Sequence, residues 1–153
     1  MEQRIDYKEI APKSLKGLYE LEKYVADSKL ESSLIELVKL RASQINGCAY
    51  CIDMHTKDAR QAGETEQRLY ALSAWEESPF YTEKERAALR WTEALTRISE
   101  NSVSDKLYKS VRLHLAEVDL TTLTMAIIVI NSWNRLAISF RNIPGSYKPE
   151  LVK

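Results

Sequence analysis

The spacing of apolar residues constrains this chain more than any other feature. It is helical almost from end to end, and no stretch alternates as a half-buried strand must. Leu15, Leu18, Leu21 and Val25 predict a first helix over roughly 13–28. Leu34, Leu37, Val38 and Ile45 predict a second, ending near Gln44. Asn46-Gly47 supplies its stop, because both residues tolerate the left-handed backbone that closes helices. A third helix follows from Cys48 to Ala62, punctuated by Gly63. Leu69, Leu72 and Trp75 mark a fourth, closed before Pro79. Thr82-Glu-Lys-Glu85 has the pattern of a capping box and opens a fifth, with Ala88, Trp91, Thr92, Leu95 and Ile98 as its core face. Ser104 or Asp105 caps a sixth, with Leu107, Tyr108, Val111 and Leu115 inward. Asp119 begins a seventh, which runs to about Arg141 before Ile143-Pro144-Gly145 breaks it. With 4 Gly and 4 Pro in 153 residues, most of them between helices, the fold class is all-α. The expected architecture is one domain over residues 1–153, a bundle of about six to seven helices.

The seventh helix is apolar on nearly every side from Met125 to Ile130, so it should be buried all round, centrally or at a subunit interface. An oligomer is therefore expected. That apolar run is six residues, well short of the about 18 that span a membrane. The start, Met1-Glu-Gln-Arg-Ile-Asp-Tyr-Lys, lacks the apolar stretch of a signal peptide. The expected compartment is the cytoplasm. Lys plus Arg and Asp plus Glu each number 22, and a zero balance argues against nucleic acid or an anionic membrane as partner.

Only 2 cysteines are present, too few to staple a fold, and a reducing cytoplasm disfavours a stable disulfide. Cys48-Ala-Tyr-Cys51 therefore reads as a reactive or metal-binding pair. On a helix that opens at Cys48, positions 48, 51 and 55 share one face. Cys48 lies where free backbone N–H groups and the helix dipole favour a thiolate. Cys51 is close enough to close a disulfide, and His55, one turn on, can accept a proton. Glu36 could orient that imidazole if its helix packs antiparallel across the Asn46-Gly47 turn.

Each residue also has an ordinary explanation. The cysteines could be small core residues. Glu36 could complete a Ser33-x-x-Glu36 capping box or pair with Lys39, and on the residues alone it reads as structural more often than catalytic. Zinc is a rival, with Cys48, Cys51 and His55 as ligands and Glu36 or His114 as a fourth. A c-type haem is excluded by Ile52 after the second cysteine, an iron–sulfur cluster by the cysteine count. Asn131, Asn134 and Arg135 share a face of the seventh helix. They read as its exit toward solvent, or alternatively as a hydrogen-bond cluster at an interface or site wall. Trp75, Trp91 and Trp133 are expected in the core.

Glu36, eleven intervening residues, Cys48-x-x-Cys51, three more and His55 together resemble the signature of the AhpD-like alkylhydroperoxidase and carboxymuconolactone decarboxylase family. The surrounding Glu-Leu-Val-Lys-Leu-Arg-Ala-Ser-Gln-Ile-Asn-Gly-Cys48, Met54-His-Thr-Lys-Asp-Ala-Arg60 and Leu89-Arg-Trp-Thr-Glu-Ala-Leu95 are similar to it too. The likeness is strong over 31–98 and looser over 119–141. It implies an AhpD-like helical domain that forms trimers or hexamers, with the site in the helical core near a subunit contact. It also implies a thiol-dependent peroxidase or disulfide oxidoreductase acting on alkyl hydroperoxides. One cysteine is oxidised to a sulfenic acid, the other resolves it to a disulfide, and an external dithiol, lipoyl-type or a small thiol, restores the pair. No cofactor beyond that disulfide is implied.

In this resemblance Cys48 attacks first, Cys51 resolves, and Glu36 with His55 forms the proton relay. Some peroxidase members have a second His where this chain has Tyr50, which shortens the relay. Decarboxylase members generally lack the cysteine pair, which argues against lactone decarboxylation here. A gamma-carboxymuconolactone decarboxylase-like enzyme and a non-catalytic redox- or metal-sensing module remain the alternatives on this fold.

Overall fold

The punctuation read from the residues bounds the helices in the computed structural model, which describes residues 2–149. All seven expected helices form, and a one-turn helix α1 (Tyr7–Ile10), capped by the Asp6 carboxylate, makes eight. A 3-10 turn at Pro12–Leu15 leads into α2 (Lys16–Ala26). Helix α3 (Ser32–Asn46) ends at Gly47, whose φ of 68° is left-handed backbone that glycine adopts without a Cβ clash. Then come α4 (Ala49–Gln61), α5 (Glu66–Ala71) with a 3-10 turn at Leu72–Ala74, α6 (Glu83–Thr96), α7 (Asp105–Arg112) and α8 (Glu117–Phe140). Thr82 and Glu85 close the expected capping box on α6, and the Ser104 hydroxyl caps α7. Among the described residues there is no strand.

Three local expectations are corrected. Helix α3 starts at Ser32 with Glu31 at its cap, so Ser33 and Glu36 form no capping box. Helix α6 stops at Thr96, which leaves Ile98 63% exposed beyond it. Tyr108 lies on the outer side of α7, stacked obliquely against the Trp91 ring.

Helix α8 is the centre of the bundle and packs against α2, α3 and α6. Leu120, Leu123, Ala126, Ile127, Ile130 and Ala137 give it a buried face along its length. By length and composition alone α8 could cross a membrane, but that face is the core of this domain. It is not buried all round, since Val118 and Ile128 are open to solvent on its far side.

The core has three parts. One, around Leu34, Val38, Ala88 and Leu123, joins α2, α3, α6, α7 and α8. A second surrounds Trp75, which is 2% exposed and donates from Nε1 to Glu93 Oε1 at 2.8 Å. Arg41 Nε donates to the same oxygen at 2.8 Å, so the buried indole and guanidinium share one carboxylate. Trp75→Ala should lower the unfolding free energy by about 3–5 kcal/mol, measured by denaturant titration, because it leaves a large cavity. The third part is small and contains both cysteines, with Ala42, Ile130 and Ala137.

Candidate active site

The α3–α4 corner builds the site. Cys48 N–H donates to Ser43 carbonyl at 2.9 Å and Gly47 N–H to Gln44 carbonyl at 3.2 Å, which satisfies the last carbonyls of α3 and folds the chain back. Helix α4 therefore runs antiparallel against α3, with Cys48 at its cap position. This packing brings Glu36 opposite His55, and His55 Nδ1 lies 2.8 Å from Glu36 Oε2. The ring is 4% exposed, and its Nε2 is buried with no protein partner. A carboxylate accepting from Nδ1–H holds the tautomer whose Nε2 is the free basic nitrogen.

Burial by itself would push Glu36 upward. The hydrogen bond and charge of His55, with the Lys39 ammonium behind, outweigh that and hold its carboxyl below the usual range. Lys39 does not pair with Glu36. It is buried and bonds Glu22 on α2, Nζ to Oε2 at 2.6 Å.

Cys48 and Cys51 are free thiols, each 1% exposed, with sulfurs 2.9 Å apart. The hydrogen bond from Cys51 brings Cys48 down to about 7. The backbone N–H groups of Cys51 and Tyr50 and the Asn134 side chain add to it against the opposing effect of burial. Cys51 is pushed far up, first because it keeps the proton it shares with Cys48, then by burial and by the neighbouring charge. Above about pH 7 the pair thus carries one negative charge, centred on Cys48. Thiolate absorbance of the reduced protein should show one group ionising near pH 7, absent below and present above, and no second thiolate across the neutral range.

A cavity of about 210 Å³ reaches Cys51. Its walls are Tyr7, Tyr19, Tyr50, Met54 and Trp133, with Lys8 and Glu22 as its charged residues, and Cys51 is the cysteine that lines it. Cys48 lines a separate cleft of about 500 Å³ beside Ile138, Arg141 and Pro144. Tyr50, the residue between the cysteines, stands in the wall of both.

The packing of α3 on α4 brings the four residues singled out in the sequence into two contacts, Cys48 with Cys51 and Glu36 with His55. His114 joins neither; it is exposed beyond the end of α7. Among the described residues the metal-capable donors that converge are Glu36, His55 and Asp58, within 4.8 Å of one another, without either sulfur. Glu36 and His55 already satisfy each other there, and Asp58 accepts from the Tyr147 hydroxyl at 2.8 Å.

Sequence reasoning missed the Lys39–Glu22 pair, because nothing in the spacing links α2 to α3. Of the two readings of Asn131 and Asn134, exit toward solvent or a hydrogen-bond cluster, the structure favours the cluster: Asn134 is fully buried and bonded to Asn46 and Ser43. Two amides one turn apart directly after an all-apolar run were the available signal.

A sequence model of the carboxymuconolactone decarboxylase family matches residues 12–94, more than half of the chain. The chain belongs to this family. The match begins earlier than the strong resemblance at 31–98, taking in α2, and it covers the α3–α4 corner with all four site residues. The uncharacterized protein YdfG of Bacillus subtilis is 49% identical over 146 residues, 95% of this chain and 99% of that protein. A crystal structure from Agrobacterium tumefaciens, of a protein of unknown function proposed as antioxidant defence protein AhpD, superposes with a TM-score of 0.91. It is 44% identical and covers 95% of this chain and 100% of that one. The AhpD core of a peroxidase-related protein from Ralstonia eutropha superposes with a TM-score of 0.80 at 16% identity, covering 91% and 74%, which speaks for the fold alone. The AhpD-like fold is thus shared over about the whole of the described chain.

Proposed function

We propose that this member of the family is a thiol-dependent peroxidase that reduces organic hydroperoxides through Cys51 and Cys48. The observation that carries the reading is one constellation: two free thiols in contact, Cys51 of them lining an aromatic cavity, with a carboxylate-held imidazole one helical turn from Cys51.

The cavity favours Cys51 as the attacking sulfur, the reverse of the order that the family resemblance implies. Cys51 meets the incoming peroxide but holds its proton, so it needs a base, and His55 Nε2 is that base. The Cys51 thiolate attacks the terminal oxygen of ROOH, the O–O bond breaks, and the departing alkoxide takes the proton from His55 to leave as ROH. Cys51 is then a sulfenic acid. Cys48, already ionised and 2.9 Å away, attacks the Cys51 sulfur; hydroxide leaves and is protonated to water. An external dithiol reduces the resulting disulfide and is itself oxidised, so the sum is ROOH and a dithiol giving ROH, water and a disulfide.

The apolar, tyrosine-rich walls suit an organic substituent better than hydrogen peroxide alone. The domain would act as a homo-oligomer, trimer or hexamer, in the cytoplasm, without nucleic-acid or membrane partner. Titrating reduced protein with cumene hydroperoxide should consume two thiols per chain, one equivalent of peroxide, and join Cys48 to Cys51 in the peptide map. Thiols that survive excess hydroperoxide would sink the reading.

A further inference from the structure

Two residues from opposite ends of the chain, Tyr7 on α1 and Asn142 just past α8, help to line the cavity that reaches Cys51. Both lie outside residues 12–94, the part matched by the family model, so the shared signature does not account for them. Each is held in place. Arg141 takes left-handed backbone at φ 57°, and the N–H of Asn142 bonds the Ala137 carbonyl at 2.9 Å, which fixes the chain as it leaves the helix. Arg4 pins the arm that carries Tyr7: its N–H lies 3.0 Å from the Phe140 carbonyl and its Nη1 2.9 Å from that of Ser139. The Tyr7 ring packs obliquely on Phe140, centroids 5.4 Å apart. This arm is a built wall.

Hydrogen-bond accounting leaves the pair with one donor and one acceptor unspent. Asn142 Nδ2 donates to the Tyr7 oxygen at 2.9 Å, and among the described residues the phenolic hydrogen has no acceptor. Asn142 Oδ1 is buried and accepts from no protein group. A buried acceptor without a donor is costly, which marks a place where a ligand belongs. Burial pushes the Tyr7 phenol above its usual range against the opposing Asn142 hydrogen bond, so it keeps its proton at neutral pH. The cavity's other polar groups are less suited: Glu22 is paired with Lys39, and Tyr19 is 50% exposed.

We infer that Tyr7 and Asn142 bind the hydroperoxyl group of the substrate, Tyr7 O–H donating to the oxygen that bears the organic group and Asn142 Oδ1 accepting from the terminal O–H. The inference rests on the peroxidase reading above and names the residues that recognise its substrate. A hydroperoxyl group has one hydrogen to give and a second oxygen to accept, the complement of what the pair leaves open. When the Cys51 thiolate takes the terminal oxygen, the O–O bond breaks and negative charge gathers on the other oxygen. The Tyr7 hydrogen bond strengthens on that alkoxide as it forms, without giving up its proton, which still comes from His55. The O–H held by Asn142 passes to sulfur as the sulfenic acid.

The test is stopped-flow oxidation of the reduced protein by cumene hydroperoxide, for wild type and Tyr7→Phe, which keeps the ring and removes only the hydroxyl. The second-order rate constant should fall by about 10–10²-fold, the cost of one hydrogen bond to a developing charge. Reduction of the Cys48–Cys51 disulfide by dithiothreitol and the thiolate titration midpoint should both stay at their wild-type values, because neither involves a peroxide oxygen. Equal oxidation rates in the two proteins would overturn the inference. So would a loss shared by the dithiothreitol reaction or a moved midpoint, which would make Tyr7 a support for the thiol pair. Should Tyr7→Phe not fold, Asn142→Leu decides by the same three measurements. It loses the acceptor and the tether on Tyr7, so its oxidation should slow by about 10-fold with the other two readings unchanged. A wild-type protein inert to hydroperoxide would sink the peroxidase reading and this inference together, whereas a reactive wild type matched by both variants sinks the inference alone.

Discussion

Cys51→Ser and Cys48→Ser should each reduce turnover of an organic hydroperoxide to the uncatalysed rate, and they should fail at different steps. Without Cys51 the sulfur at the end of the aromatic cavity is gone, and the protein should not react with cumene hydroperoxide at all. Without Cys48 the first oxidation should still occur, because Cys51 and His55 remain. The product is then a sulfenic acid that nothing resolves, trappable with dimedone and visible as one added oxygen by mass spectrometry. The opposite pattern, an inert Cys48→Ser and a trapped sulfenic acid in Cys51→Ser, would restore Cys48 as the first nucleophile. Full turnover in either variant would end the two-cysteine mechanism.

His55→Ala should slow the oxidation of the pair by about 10²–10⁴-fold, the usual range for loss of a positioned base. The effect should be largest near neutral pH and shrink as the medium becomes alkaline enough to ionise Cys51 unaided, since that thiol is held well above its ordinary value. Glu36→Gln should cost less. A glutamine carbonyl can still accept from His55 Nδ1 and hold the tautomer, but it no longer stabilises the imidazolium that forms during the reaction. The sign for Glu36 itself is clear. Its carboxyl is depressed in the folded protein, so the stability that it lends is present above the ordinary glutamate range and disappears as pH falls through the depressed value. Stopped-flow oxidation across pH for the three proteins checks both statements. A pH-independent loss in His55→Ala would mean a structural role for the ring.

Helix boundaries and chemistry were legible in the residues to different degrees. Gly47, Gly63, Thr82 and Ser104 act within a few residues of themselves, through positive φ or a hydroxyl on an N–H group, and each punctuates a helix as read. Cys48, Cys51 and His55 share one helix face by spacing alone, and the geometry of α4 could not have put them elsewhere. Glu36 is different. Its capping box fails because α3 begins two residues too early for it, and its pairing with Lys39 fails because Lys39 turns to Glu22 on another helix. Only the family resemblance raised it from a structural residue.

Local interactions, then, were enough to determine an all-α chain with a thiol pair at a helix start and a histidine one turn beyond. Tertiary packing decided the rest, because it depends on which helix faces which. Antiparallel packing across Gly47 brought Glu36 within 2.8 Å of His55. The passage of α8 behind the corner buried Asn134 against Ser43 and Asn46, deciding for the hydrogen-bond cluster over an exit toward solvent. The aromatic cavity draws Tyr7 and Tyr19 from the first two helices, Tyr50 from α4 and Trp133 from α8, and it opens on Cys51. Residues so far apart along the chain share no periodicity, so no spacing rule could have named the sulfur that a substrate meets first.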